Sequence, residues 1–441
     1  MNKKVVTRFA PSPTGNLHSG AYRTAIFSYL FARKNGGKFV LRIEDTDTER
    51  SKKEYQENIL ESLKWMGLEF DEFFTQSEHK DRHTEVLEKM IRDGHAYISK
   101  EESKDGSGVI KEIVRFKNPN IDVTFHDDIK GEVTMNTLDL GDFVIAKNIH
   151  EPLFHLAVVV DDFDEGVTHV IRGEDHVSNT PRQILIQRAI GAPTPSYAHL
   201  PLVLGLDKQK LSKRKGALAI TEYRDKGYLP EAILNMVAMV GWNPGTDQEL
   251  FSKEQLVAAF DLSQVQKSPA IFNPDKLDWF NREHLKKLSP DEQKMYIKKF
   301  LPERFSHLSE VVLDKLVPVI VERIHHFSEA TEMADAGEFD YYLAAPEFDE
   351  SKMVWKTDTL DQAKEHLQKV YALLNDYTGD WTVEGIKSTI WDYAESVGRG
   401  NVLWPFRYSL SGRDKSPDPF VLAFILGKNE TLQRIKSILD K

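Results

Sequence analysis

The chain has 441 residues, 40% hydrophobic and 29% charged, with a formal net charge of -11 and no cysteine. That length exceeds one ordinary core and predicts about two to four domains, while the missing cysteines exclude disulfides, thiolate nucleophiles and cysteine zinc sites. The acidic balance argues against a general polyanion binder but leaves room for a local basic face. No stretch approaches the roughly 18 to 20 apolar residues of a membrane span, so the expected location is the cytoplasm.

VVTRFA (5–10) predicts a buried strand that ends at a proline turn. AYRTAIFSYLFARK follows with Ile26, Phe27, Leu30 and Phe31 on one helical face and Asn35-Gly36-Gly37 as its stop, and FVLRI (39–43) predicts a second strand. Together they form a β-α-β unit, the first half of a doubly wound parallel sheet. Ligands of such sheets sit beyond the carboxyl ends of the strands. Arg8 and Ser12 after the first strand, and Glu44 and Asp47 after the second, are therefore expected to converge on one crevice. His18, in GNLHSG, should face it from a helix start, where anions are favoured, although neither the Walker pattern nor G-x-G-x-x-G is present.

SKKE (51–54) reads as a capping box opening a helix that ends at Gly67, and another helix is expected over 84–93. From about 96 to 152 a polar loop and the short strands EIVRFKN, GEVTM and FVIAKN predict an inserted α+β subdomain. The parallel pattern then resumes. LAVVVDD (156–162) predicts a fully buried strand, THVIRGED (168–175) a second, and NTPRQILIQRAIG a helix with Pro181 early and Gly191 at its stop. KQKLSKRKG (208–216) is a basic loop that no apolar period organises. From about 222 onward helical patterns dominate, among them LPEAILNMVAMVGW, KEQLVAAF, EVVLDKLVPVIVERI, LDQAKEHLQKVYALL, FVLAFILG and ETLQRIKSIL. The fold expected is α/β, a Rossmann-type parallel sheet split by an insertion and followed by an all-α half.

Taken singly, KLSKR reads more readily as a solvated basic turn, and His18 as an ordinary turn or core histidine. Their order changes this. A histidine turn after the first strand, an insertion, and a Lys-x-Ser-Lys loop 192 residues further on resemble the layout of class I aminoacyl-tRNA synthetases, GNLHSG matching the HIGH signature and KLSKR the KMSKS signature. Within that class RFAPSPTGNLH, FVLRIEDTD, VVVDD, THVIRGEDH, NTPRQILI, KLSKRKGA and GYLPEAILN, with SLSGRDKSP and FILGKNETLQRI near the end, are similar to bacterial glutamyl-tRNA synthetases.

The resemblance implies ATP-dependent activation of glutamate and its transfer to the terminal adenosine of tRNA(Glu), with tRNA needed for activation. It implies His18, Gly20, Lys210 and Lys213 as the catalytic groups and adds Leu211, Ser212, Arg214 and Asp175 to the ATP site. Arg8, Ser12, Glu44, Phe154 and Arg172 match the amino-acid pocket, with Arg8 on the substrate side-chain carboxylate and Glu44 on its ammonium group. Ser19 departs from the apolar residue usual in the signature, and Phe154 stands where relatives carry a tyrosine. Mg²⁺ is expected with ATP. No protein-held metal and no zinc are expected, because the insertion lacks the zinc-binding cysteines of some relatives.

The domains implied are 1–95 and 153–221 for the two catalytic halves, 96–152 for an acceptor-end-binding insertion, 222–300 for a helical stem-contact domain and 301–441 for a helical anticodon-binding region. A monomer is expected, without membrane attachment. Three alternatives stay open: an enzyme of the glutaminyl type or one also charging tRNA(Gln), a HIGH-type nucleotidyltransferase, and a non-catalytic RNA-binding descendant.

Overall fold

The computed structural model describes residues 4–17, 19–47, 49–102, 109–211 and 218–440, and divides into two compact units between Glu283 and His284. The first unit begins with β1 (Val6–Phe9), α1 (Ser19–Lys34), β2 (Lys38–Ile43), α2 (Lys53–Trp65), β3 (Glu72–Thr75) and α3 (Lys80–Arg92). The predicted strands β1 and β2 are parallel neighbours, and β3, which the sequence reading did not mark, extends them, with Val6 opposite Lys38 and Leu41 opposite Phe73. Gly36, at φ +59, turns the chain out of α1, a left-handed conformation that glycine adopts without a Cβ penalty.

The capping box expected at Ser51 does not form. The Lys52 amide donates to the Pro13 carbonyl, which holds Lys52 extended, so the helix starts at Lys53 and Ser51 Oγ finds no partner among the described residues. Similar patterns at Ser252, Ser289 and Thr359 do close capping boxes. The helix expected over 84–93 starts earlier, at Lys80.

The middle of the chain supplies β4 (Ala96–Glu102), β5 (Ile110–Phe116), β6 (Asp122–Asp127), β7 (Gly131–Asn136), β8 (Phe143–Asn148) and β9 (Glu151–Pro152). Strands β4, β5, β8 and β9 make a separate antiparallel sheet. The hairpin β6–β7, of which only β7 was legible, leaves it and joins the edge of the main sheet.

Next come α4 (Phe154–Asp164), β10 (His169–Gly173), α5 (Thr180–Ile190), β11 (Ser196–Leu200) and β12 (Val203–Leu204). Residues 156–162 are therefore helix α4, not the buried strand that their valines suggest. Leu156, Ala157, Val158, Val159 and Val160 are all buried, and a helix apolar all round is a helix packed on every side. The unit closes with α6 (Ile220–Asp225), α7 (Pro230–Met239), α8 (Lys253–Ala259), β13 (Ala270–Ile271) and most of α9 (Pro274–Leu285), whose last turn crosses the division.

The main sheet has the order β3-β2-β1-β10-β11-β6-β7, parallel except for the last pair. Along β2, Phe39, Leu41 and Ile43 enter one core with α1, α2, α7 and α8, while Val40 enters the other with α3, α4 and α5. Both faces are thus covered, as a parallel sheet requires. The strand order reverses between β1 and β10, and a crevice opens at that switch point.

The second unit is helical: α10 (Pro290–Phe300), α11 (Glu310–Val321), α12 (Ser328–Asp335), α13 (Leu360–Asp376), α14 (Val383–Val397), α15 (Arg399–Ser411), α16 (Pro419–Leu426) and α17 (Lys428–Leu439). Side-chain caps from Ser309, Thr382 and Asp418 start three of them. Among the described residues no helix is long and apolar enough to cross a membrane.

Candidate active site

At the switch point lies a cavity of about 320 Å³ whose wall includes Arg8, Gly20, Glu44, Phe154, Arg172, Asp175, Lys210 and Leu211. Eight positions that the sequence marks thus share one space. Arg8 comes from β1, Arg172 from β10, and Glu44 directly follows β2, the three meeting because parallel neighbours end on the same side. Gly20 lies in the first turn of α1, and Lys210 is bridged to Leu204 at the end of β12. The proline turn is fixed by its carbonyls: Glu44 N–H donates to Pro11 and Lys52 N–H to Pro13, both at 3.0 Å.

Other expected positions fall elsewhere. The Ser12 side chain is exposed and absent from the cavity wall. Asp47 does not join the crevice; it pairs with Arg50 at the surface. His18, Ser212, Lys213 and Arg214 lie outside the described residues, and of Ser19 only the backbone is described.

Behind the wall is a buried charge network. Arg8 Nε lies 3.2 Å from Asp162 Oδ1, and Arg42, fully buried, reaches Asp162 at 2.8 Å and Glu44 and Glu165 at 3.2 Å. Burial pushes the Glu44 carboxyl above its ordinary range against the pull of Arg42 and Arg8. Burial acts on Asp162 in the same sense, but two guanidiniums outweigh it and hold that group below the usual range. Glu165, with one arginine partner and two acidic neighbours, is pushed by burial up to about 8.

Arg172 donates from Nε to His199 Nε2 at 3.1 Å and from Nη2 to Thr180 Oγ1 at 2.8 Å, with its guanidinium over the Tyr197 ring. Burial lowers it to about 10, so it stays charged at neutral pH. His176 on the same wall is lowered to about 4, chiefly by burial and then by Arg172, and presents a neutral imidazole. The Phe154 ring lies 5.7 Å from it. Gly173 ends β10 beside the Asp175 carboxylate, and a Cβ there would have to displace Asp175 Oδ1.

Sequence reading missed Arg42, Asp162, His176 and His199, and also Arg23, whose guanidinium bonds the Pro201 and Val240 carbonyls. Only the acidic pair closing VVVDD and the arginine of RIED hinted at them. Two convergent arginines, a buried carboxylate and a helix start facing one crevice suit an anionic amino acid beside a polyphosphate.

A parallel nucleotide-type sheet with this crevice, an antiparallel insertion and a following helical unit defines a class I aminoacyl-tRNA synthetase. Residues 4–106 and 98–279 match the family described as tRNA synthetases class I (E and Q), catalytic domain, and residues 280–439 match the anticodon binding domain family. The glutamate–tRNA ligase of Aquifex aeolicus is 40% identical, covering 99% of each chain, and that of Nitrosospira multiformis is 39% identical, covering 98% of each. A crystal structure of a glutamate tRNA ligase from Elizabethkingia meningosepticum in complex with its amino acid matches with TM-score 0.87 at 32% identity over 100% of both chains. The chain belongs to the glutamate–tRNA ligase family.

Proposed function

We propose that the chain joins L-glutamate to ATP, giving glutamyl-adenylate and diphosphate, and passes the glutamyl group to the terminal adenosine of tRNA(Glu) with release of AMP. The observation that carries this reading is the cavity that gathers Arg8, Glu44 and Arg172 beside Gly20, Asp175 and Lys210. It is joined by full-length similarity to glutamate–tRNA ligases.

The α-carboxylate of glutamate attacks the α-phosphorus, and negative charge grows on the phosphate oxygens and the leaving diphosphate. Such a step needs positioned donors more than a base. Gly20 and the α1 amino end, with Lys210 and the expected His18 and Lys213, take the ATP side, together with Leu211, Ser212, Arg214 and Asp175. Arg8 and Arg172 hold the substrate side-chain carboxylate and Glu44 its ammonium group, while Ser12, exposed and off the cavity wall, takes no part.

Of the wall residues, Glu44 is tied to Arg42 and Asp175 is more than half exposed. One accessible carboxylate fits a Mg²⁺ held mainly by phosphate oxygens and water, which would offset charge on the phosphates. Zinc has no part in the proposal. The remaining assignments are the insertion at 96–152 for the acceptor end, 222–300 for the stem and 301–441 for the anticodon, in a cytoplasmic monomer.

The test is aminoacylation of separately transcribed tRNA(Glu) and tRNA(Gln) with labelled glutamate and labelled glutamine. We expect glutamate on tRNA(Glu) and no charging by glutamine; glutamate on both tRNAs would make the enzyme non-discriminating, and charging of neither would refute the reading. Phe154→Tyr should restore a hydroxyl at the wall. A hydrogen bond to a charged group contributes about 1.5 to 3 kcal/mol, so the KM for glutamate should fall roughly tenfold or more with kcat little changed. An unaltered KM would show that the missing hydroxyl is immaterial.

A further inference from the structure

We propose that Asp127 and His199 are positioning residues for the amino-acid pocket, acting through Arg172. The inference rests on the reading of Arg172 as a glutamate contact. Asp127 closes β6, the strand that leaves the middle segment of the chain to pair with β11, where it stands opposite Tyr197. Its carboxylate is fully occupied. Oδ1 accepts the amides of Ile129 at 3.0 Å and Lys130 at 2.8 Å, and Oδ2 accepts the His199 amide at 3.1 Å and lies 2.5 Å from His199 Nδ1. Asp127 and His199 are buried, and neither lines the cavity.

The proton on His199 follows from its neighbours. An arginine nitrogen only donates, so His199 Nε2, which faces Arg172 Nε at 3.1 Å, accepts and carries no hydrogen. In a neutral imidazole the proton then sits on Nδ1 and points to Asp127. Thr180 completes the cradle by accepting from Arg172 Nη2 while bonding the His176 carbonyl at 3.1 Å. Arg172 is thus held at two of its nitrogens, with Nη1 lacking a protein hydrogen bond among the described residues. The aim of its guanidinium depends on the tautomer that Asp127 selects.

Asp127→Asn tests this effect. The Ile129 and Lys130 amides hold the remaining oxygen at the Oδ1 position, where the His199 amide at 3.3 Å can still donate to it, so the new NH₂ loses the Oδ2 contact with that amide and faces His199 Nδ1. The ring must then carry its proton on Nε2, which lies 3.2 Å from Thr180 Oγ1 and 3.1 Å from Arg172 Nε, so that it opposes the Arg172 N–H and competes with it for the threonine. Steady-state aminoacylation by the full-length protein should show the KM for glutamate raised about ten- to a hundredfold, with kcat and the KM for ATP within about threefold.

An unchanged glutamate KM in the folded variant, or equal rises for glutamate and ATP, would overturn the proposal. His199→Gln and His199→Phe provide a second route should Asp127→Asn fail to fold. Glutamine keeps an acceptor for Arg172 and should retain a glutamate KM near that of the parent, whereas phenylalanine fills the ring volume without one and should raise it; equal values overturn the proposal. Arg172→Ala separates the two levels. If it raises the glutamate KM and Asp127→Asn does not, the relay alone falls, and if it has no effect the pocket assignment falls with it.

Discussion

Replacing Arg8 by alanine is expected to lower kcat/KM for glutamate by roughly two to four orders of magnitude, with the KM for ATP within about threefold of the parent. Loss of one partner of a buried ion pair costs about 3 to 5 kcal/mol, and each 1.36 kcal/mol is tenfold in rate. Arg8 is 4% exposed and spends Nε on Asp162 and Nη1 on the Ile171 carbonyl, which fixes the plane of its guanidinium at the cavity wall. The fold should tolerate the change. Asp162 keeps Arg42 at 2.8 Å, so no buried carboxylate is abandoned. Arg8→Lys should fall between the two, because an ammonium keeps the charge without the planar fork that pairs with a carboxylate. A loss below tenfold for Arg8→Ala would mean that Arg8 serves only as the partner of Asp162.

How much of this was readable in advance depended on whether the signal was local. β1, α1 and β2 were legible because each pairs an apolar period with a glycine or proline stop within a few residues. LAVVVDD was misread because a helix buried on every side has no polar face, and its valines imitate a strand. β6 was missed although IDVTFHD alternates, because the segment is short and polar, and the strand it joins lies about seventy residues further on. The pocket shows the same division. Arg8, Glu44 and Arg172 stand at strand ends, where the topology of a doubly wound sheet marks them. Arg42, Asp162 and His199 sit behind those ends, and their roles exist only once β1, β2, α4, β10 and β11 are side by side.

Arg42→Met is expected to be the most destabilising single change in the first unit, and its cost should grow with pH. Arg42 is the shared partner of Glu44, Asp162 and Glu165 and is itself wholly buried. Methionine of similar length leaves three carboxylates to desolvate without a guanidinium between them, Arg8 and the more distant Arg172 acting on Asp162 and Glu44 from one side, at a cost of about 3 to 5 kcal/mol. For a unit of this size that corresponds to a melting transition lower by on the order of 10 °C.

The pH dependence follows from the direction of each shift. Burial already holds Glu165 at about 8 against an ordinary value of 4.5, so the folded state binds more protons than the unfolded one between those values. That contribution is complete below 4.5 and is lost as pH rises through 8, by up to about 1.4 kcal/mol per unit per proton. Removing Arg42 takes away the main attraction that opposes burial at Glu165 and Glu44, and it relaxes Asp162 upward from its depressed position. More protons are then bound on folding over a wider window. The gap in melting temperature between Arg42→Met and the parent should therefore be smallest near pH 5 and widest near pH 8, as scanning calorimetry across that range would read directly. A gap that stayed constant would show that Arg42 acts through packing volume and not through the charges it neutralises.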